Sequence, residues 1–364
     1  MRLVLVQVLR ALAALLVAMH HAQHEAAALA ERTGAAFVPS RLLPWAAGVD
    51  VFFVISGFII VHAAAPLYGR EGGRRVFLAH RLARVVPLYW LVTGLYLAVV
   101  LARPGLVAAE GAPDPAYVAA SFLFWPALRP DGTAQPLYGL GWTLEFEMAF
   151  YALFALVLGL GRRAAVAAVA GALGALVLMR ALVPGLPMPL AFWSEPVILE
   201  FAFGAGLGLA RAEGFRLSGV VRAACALAGL LLLALVARSI GEPGGFARPL
   251  TQGLPAMLLV AAAVFGPSRP AGEAPSRLLL GLSAVGDASY ALYLIHPFVL
   301  RAAREALLRS GAASLLGPEA CLWLMLALTV PAALAVHRLI ERPMTRRARR
   351  LLDPGPSPDA GKTV

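Results

Sequence analysis

Ten apolar stretches, each about 20 residues long and separated by Pro, Gly and Arg clusters, run through this chain of 364 residues. They fall near 4–21, 45–65, 85–102, 138–160, 164–182, 195–210, 219–237, 249–266, 285–300 and 319–338. This repetition constrains the fold more than any motif does. An apolar helix of such length matches the hydrocarbon thickness of a bilayer and satisfies its own backbone there. With 60% hydrophobic and 14% charged residues and a mean hydropathy of +0.78, polar surface is too scarce to cover a soluble globule. The expected fold is an all-α integral membrane protein, a multi-span helical bundle of about ten transmembrane helices. A soluble enzyme is excluded, and little chain remains for a large soluble domain.

The chain carries 31 Lys and Arg against 20 Asp and Glu, a net charge of +11. In a soluble protein that excess points to nucleic acid; in a membrane protein it points to cytoplasmic loops beside anionic lipid, so no nucleic-acid partner is expected. If the N-terminus is cytoplasmic, about two-thirds of the basic residues fall on the inner side. They include Arg70, Arg74, Arg75, Arg81 and Arg84, and the cluster from Arg342 to Arg350. Both termini are therefore expected in the cytoplasm. Arg10 interrupts the first apolar run and no small-residue cleavage site follows it, so that segment is expected to stay uncleaved. Residues 1–345 read as a membrane domain, and 346–364 as a basic, Pro-rich, disordered cytoplasmic tail. Cys225 and Cys321 lie in apolar stretches and read as small buried hydrophobes, with no disulfide or metal site expected. The connection 103–137 carries six prolines, from Pro104 to Pro136, around Phe122, Phe124 and Trp125. Interfacial anchoring is its ordinary reading, and a cap over a site the other.

Ionisable side chains inside apolar spans are costly, so each is a candidate for function. Arg10 and His21 lie eleven residues apart, which places them ~16 Å apart along a helix and on roughly one face. Asp50 opens the second stretch within Gly48-Val-Asp-Val-Phe-Phe-Val-Ile-Ser-Gly-Phe58, where Ser56 and Gly57 permit close helix packing and Asp50 also suits a helix N-terminus. In Gly141-Trp-Thr-Leu-Glu-Phe-Glu-Met-Ala-Phe-Tyr151, Glu145 and Glu147 point to different helix faces, so one of them faces a given cavity. Gly286-Asp-Ala-Ser-Tyr-Ala-Leu-Tyr-Leu-Ile-His-Pro297 holds His296 beside a proline expected to kink the helix. The inferred topology places His21, Asp50, Glu147 and His296 in the outer half of the bilayer. At the inner face, Arg81 and Arg84 are three residues apart and neighbours on one helix face, a spacing suited to a polyanion such as a phosphorylated cofactor. Singly, each has a plainer reading as an interface anchor, a wetted helix end or a helix-to-helix contact. Together they place a cationic donor site inside and acid/base chemistry outside.

At these residues the chain resembles the membrane acyltransferase-3 family, in particular its exopolysaccharide acetyltransferase type. The resemblance rests on six blocks in family order: Leu9–His21, Gly48–Ile60, Arg81-Leu-Ala-Arg84 with Pro87-Leu-Tyr-Trp90, Gly141–Tyr151, Gly286–Pro297 and Glu341-Arg-Pro343. It implies an enzyme of the plasma (inner) membrane that takes an acyl group, usually acetyl, from cytoplasmic acyl-CoA to a hydroxyl of an extracytoplasmic carbohydrate. Acetyl-CoA is then the donor substrate, membrane lipid the surroundings, and no metal is needed. Arg10 and His21 match the family's first-span arginine and catalytic histidine. Arg81 and Arg84 match its Arg-x-x-Arg motif for acyl-CoA handling, and Glu147 matches the acid of its Trp-Thr-Leu-x-x-Glu block, with Met148 following as in the exopolysaccharide type. Glu145 lies outside the pattern.

These matches lead to an expected division of labour. His21, Glu147 and Asp50 form the catalytic set, with His21 the base or the covalent acyl carrier and a carboxylate orienting its ring. Arg10, Arg81 and Arg84 hold the donor, and Trp142 and His296 contact the substrate. A proton-coupled secondary transporter is the rival reading of the same intramembrane groups, and a structural membrane subunit is a second.

Overall fold

A computed structural model describes residues 3–102, 113–239, 244–267 and 276–353. Pro104, Lys362 and the chain from Pro354 onward lie outside the described residues. The helices are α1 (Val4–Thr33), α2 (Gly48–Ala63), α3 (Gly73–Ala102), α4 (Pro115–Phe122), α5 (Trp142–Val157), α6 (Arg162–Leu182), α7 (Leu190–Trp193), α8 (Leu199–Ala212), α9 (Gly219–Ser239), α10 (Leu254–Val264), α11 (Arg277–Asp287), α12 (Ser289–Arg309), α13 (Ala312–Val336) and α14 (Arg342–Leu352). Among the described residues no strand forms. Among the described residues eight helical segments are long and apolar enough to cross a membrane, or nine if α11 and α12, bent by 72°, count as one span. The protein is a multi-pass, all-helical membrane protein.

The structure corrects four expectations. The sixth apolar stretch yields α8, only 14 residues long; at 1.5 Å rise it reaches ~21 Å, short of the ~30 Å hydrocarbon core. Pro196 confines the preceding residues to a separate 3₁₀ turn, Pro196–Ile198. Pro297 lies inside α12, which runs through it unbroken, and the chain also bends where no bend was expected, at Ala288 between α11 and α12. His21 does not end its helix, since α1 continues about three turns beyond it. The segment 346–352, expected as part of a disordered tail, is the body of α14.

The chain forms two compact units in place of one membrane domain. Met1–His62 with Glu195–His337 make the first, and Ala63–Ser194 with Arg338–Val364 the second. In the first, α1 packs against α10, α11, α12 and α13. Its alanines allow this crowding: Ala11, Ala13, Ala14, Ala18, Ala22 and Ala26 are all buried, and small side chains let helix backbones approach. Where α11 meets α1, a Cβ on Gly286 would lie 1.9 Å from the Gln7 carbonyl oxygen, so only glycine fits. The same device joins α2 to α8. A Cβ on Gly57 would lie 2.1 Å from the Phe201 carbonyl oxygen, and one on Gly204 1.9 Å from that of Val54, in line with the close packing expected at Gly57. Gly204→Leu is expected to force the two helices apart at a cost of at least ~3 kcal/mol, read as a lowered Tm of the detergent-purified protein.

The second unit is built on α3, which packs against α5 and α14. Phe77, Phe150 and Phe154 fill its interior. The segment after α4 folds against this unit through polar ties. Tyr89 donates to the Ser121 carbonyl at 3.0 Å, Tyr117 to that of Gln135 at 2.8 Å, and the Leu137 amide to Ser121 Oγ at 2.8 Å. The aromatic patch divides: Phe124 is buried 4.7 Å from Tyr89, whereas Trp125 is exposed beside Trp193. Bare leucines on α9, including Leu227, Leu231 and Leu235, are the surface expected of a lipid-facing helix.

Candidate active site

In the first unit, α1 and α12 bring two histidines together. His21 Nδ1 lies 3.2 Å from His296 Nε2, with the rings edge to face and their centroids 4.9 Å apart. Each Nδ1 also faces a carbonyl one turn back: Val17 at 3.0 Å from His21 and Leu292 at 3.1 Å from His296. These contacts fix the tautomers. A neutral imidazole carries one N–H and one acceptor nitrogen. His296 donates from Nδ1 to the Leu292 carbonyl, so its Nε2 accepts. His21 then donates from Nδ1, shared between His296 Nε2 and the Val17 carbonyl, and Nε2 of His21 keeps the lone pair. His296 is fully buried and His21 half-buried, so the pair presents one basic nitrogen, that of His21. His296, expected to contact substrate, has no exposed surface with which to do so.

Charged side chains beyond the histidines hold α1 and α12 in register. Arg304 reaches Glu25 at 2.5 Å and Glu305 at 2.8 Å, and Arg32 reaches Glu305 at 2.9 Å. Glu25 is one turn after His21 and Arg304 about two turns after His296, so this network braces the dyad.

Asp50, expected as an alternative orienting group, has another partner. Arg248 grips it in a bidentate pair, Nε to Oδ1 at 2.9 Å and Nη2 to Oδ2 at 3.1 Å, and Asp50 is fully buried. Glu200 of α8, also fully buried, stands beside Asp50. A π-helical turn, Pro249–Gly253, follows Arg248, and Gly253 faces the Glu200 carboxyl so closely that a Cβ would lie 2.9 Å from it. Sequence reasoning passed over Glu200 although its signal, a carboxylate in an apolar stretch, was present. Arg10 lies half-buried on α1.

The second unit holds the other expected residues. Glu145 is buried with neither oxygen hydrogen-bonded, while Glu147, half-buried, accepts from Tyr151 one turn on; the two do point to different faces. Trp142 lies at the first turn of α5, its ring centroid 6.0 Å from that of Phe146. Arg81 and Arg84 share α3 but differ in occupation. Arg84 forms an ion pair with Glu341, whose side chain is fully buried at the end of a second π-helical turn, His337–Glu341. The Arg81 guanidinium carbon lies 5.9 Å from the Phe77 ring centroid, and its buried Nε has no hydrogen-bond partner. The Glu341-Arg-Pro343 block thereby acquires a structural part that its sequence did not reveal. Among the described residues no group of three or more His, Cys, Asp or Glu is placed to hold a metal ion.

Comparison with known proteins finds similarity along most of the chain. The sequence model of the acyltransferase-3 family, described as an acyltransferase domain, matches residues 5–338. The exopolysaccharide production protein ExoZ of Rhizobium meliloti (strain 1021) is 36% identical over 328 residues, which cover 88% of this chain and 94% of that protein. No solved structure matches.

Proposed function

Since the chain belongs to the acyltransferase-3 family, we propose that it is a membrane O-acetyltransferase that moves acetyl from cytoplasmic acetyl-CoA to a hydroxyl of an extracytoplasmic exopolysaccharide. That it is an acyl-transferring enzyme follows from the family; the donor, the acetyl group and the acceptor are our reading. The observation that carries it is the single basic nitrogen of His21, fixed by His296 and the Val17 carbonyl. The name of its relative ExoZ supports a polysaccharide acceptor. The arginine distribution supports cytoplasmic termini, and the plasma (inner) membrane is the location this implies.

His21 Nε2 takes the proton from the acceptor hydroxyl as that oxygen attacks the thioester carbonyl. The C–O bond forms, the C–S bond breaks, and the imidazolium returns its proton to the departing sulfur, releasing CoA as the free thiol. The charge that develops on His21 is stabilised through Nδ1–H by His296 Nε2 and the Val17 carbonyl, the place a carboxylate takes in other histidine bases. Arg81, with a guanidinium edge left over, takes donor phosphates. Arg84 contributes mainly through Glu341.

The test is acceptor-dependent release of free CoA by the purified protein in lipid nanodiscs, supplied with acetyl-CoA and exopolysaccharide. Solute uptake into vesicles without thioester consumption would overturn the reading in favour of a transporter. The role of His296 has its own signature. His296→Leu is expected to lower kcat ~10²-fold, the range seen when the group orienting a functional histidine is lost. His296→Gln, whose amide oxygen still accepts from His21 Nδ1, is expected to recover at least about tenfold of that loss, with the KM for acetyl-CoA unchanged in both.

A further inference from the structure

Near the dyad in the first unit, a cleft of about 540 Å³ opens between the C-terminal half of α1, the segment before α2 and the end of α9. Its walls carry His20, Gln23 and His24 from α1, Arg41 and Trp45 from the following segment, and Arg238 from α9. The volume suits a saccharide of a few units, and a concave site with a few placed polar groups is the usual form of a small-ligand site. His20 and His24, which line the cleft, flank His21 on α1, with ring centroids 5.1 and 6.4 Å from its own, so one residue layer separates the cleft from the base, which is not itself part of the wall.

The wall is built rather than loose. Gln23, buried, accepts from the Ser40 amide at 2.5 Å, and Trp45 Nε1 donates to the Ser40 carbonyl at 2.7 Å. The Trp45 ring is thus pinned by its polar edge, packed on one side against the apolar cluster that includes Met19, Ala22 and Cys321 and lining the cleft with the rest, where an amphipathic ring can meet an apolar sugar face. The charge is one-sided. Arg41 and Arg238 line the cleft, both are exposed, and among the described residues neither has an acidic partner. Elsewhere in the first unit Asp50 is paired with Arg248 and Glu25 with Arg304. Two guanidinium groups left without carboxylates over a cleft with a fixed aromatic face are a receptor for an anionic sugar.

We propose that this cleft binds the acceptor and selects an acidic oligosaccharide, its carboxylate or phosphate lying against Arg41 and Arg238 and a sugar ring against Trp45. This rests on the acyltransferase reading above for its role but not for its binding, and the experiment separates the two. Calorimetry on the full-length protein in nanodiscs, without acyl donor, uses three probes: a glucuronate-containing tetrasaccharide, the same tetrasaccharide with its carboxyl groups reduced to alcohols, and a phosphorylated disaccharide. An acidic probe is expected to bind at least tenfold more tightly than the reduced one, and the stronger of the two acidic probes identifies the anion. Arg41→Gln and Arg238→Gln are each expected to weaken acidic binding ~5- to 10-fold, leaving the reduced probe unchanged. Trp45→Phe is expected to weaken all three probes. Equal affinity for acidic and reduced probes, or acidic binding untouched in the arginine double variant, overturns the proposal. Absence of CoA release alongside selective acidic binding would instead defeat the transferase reading and leave the site standing.

Discussion

His21→Ala is expected to abolish measurable acyl transfer, with kcat lower by ~10²–10⁴, the span that a positioned general base contributes. The substitution removes the one basic nitrogen that the dyad leaves outside its internal hydrogen bonds, and His296 cannot replace it. The His296 ring is fully buried, and its Nδ1 is committed to the Leu292 carbonyl. His24 does not replace it either, because it directs its own Nδ1 to the His20 carbonyl at 2.8 Å and is exposed. The loss should fall on kcat, with the KM for acetyl-CoA little changed, since His21 acts on the reacting atoms rather than on the nucleotide. Tm should stay within a few degrees of the parent, because the ring is only half-buried. Radiolabelled acetyl transfer to polysaccharide, measured beside free CoA, checks this. Transfer at near-parental rate would remove His21 from the mechanism.

The second large effect concerns stability. Arg84→Ala is expected to destabilise the protein by ~3–5 kcal/mol, because it strands the fully buried Glu341 carboxylate without its counter-ion. The pair is unequal: the Arg84 side chain is 31% exposed and that of Glu341 0%. Glu341→Gln should therefore cost clearly less, since the freed guanidinium still reaches solvent. Replacing both by methionine should recover much of the loss, because two apolar side chains leave no buried charge. Thermal unfolding of the four proteins in one detergent gives the comparison. The result also bears on how an Arg-x-x-Arg motif is tested: loss of activity in Arg84→Ala would report a damaged fold before it reported donor binding. Arg81→Ala is the cleaner probe, expected to raise the KM for acetyl-CoA several-fold with little change in Tm.

The sequence made the class of fold legible, because apolar length is a local property. It also marked His21, Arg81 and Arg84 as candidates, through their polarity in or beside apolar helices and the family resemblance of their blocks. What it did not give were the partners. His21 and His296 are 275 positions apart, Asp50 and Arg248 198, and Arg84 and Glu341 257. Helical periodicity carries no information over such distances. Three functional readings shifted for this reason: Asp50 belongs to Arg248, Arg84 to Glu341, and His296 to His21. The short α8 escaped because hydropathy registers an apolar run but not the 3₁₀ turn that Pro196 places at its start. Pro297 sits inside α12 without breaking it, because a packed membrane helix tolerates the loss of one donor.

The pairing of Arg84 with Glu341 also orders events during synthesis. At ~5–20 residues per second, the 257 positions between them take on the order of 10–50 s to translate. For that interval a growing chain carries the arginine without the carboxylate that will neutralise it. The turn that leads into α14 thus completes a charge pair begun on α3, and a ribosome-stalled chain ending before residue 341 must hold Arg84 by its nearer contacts alone.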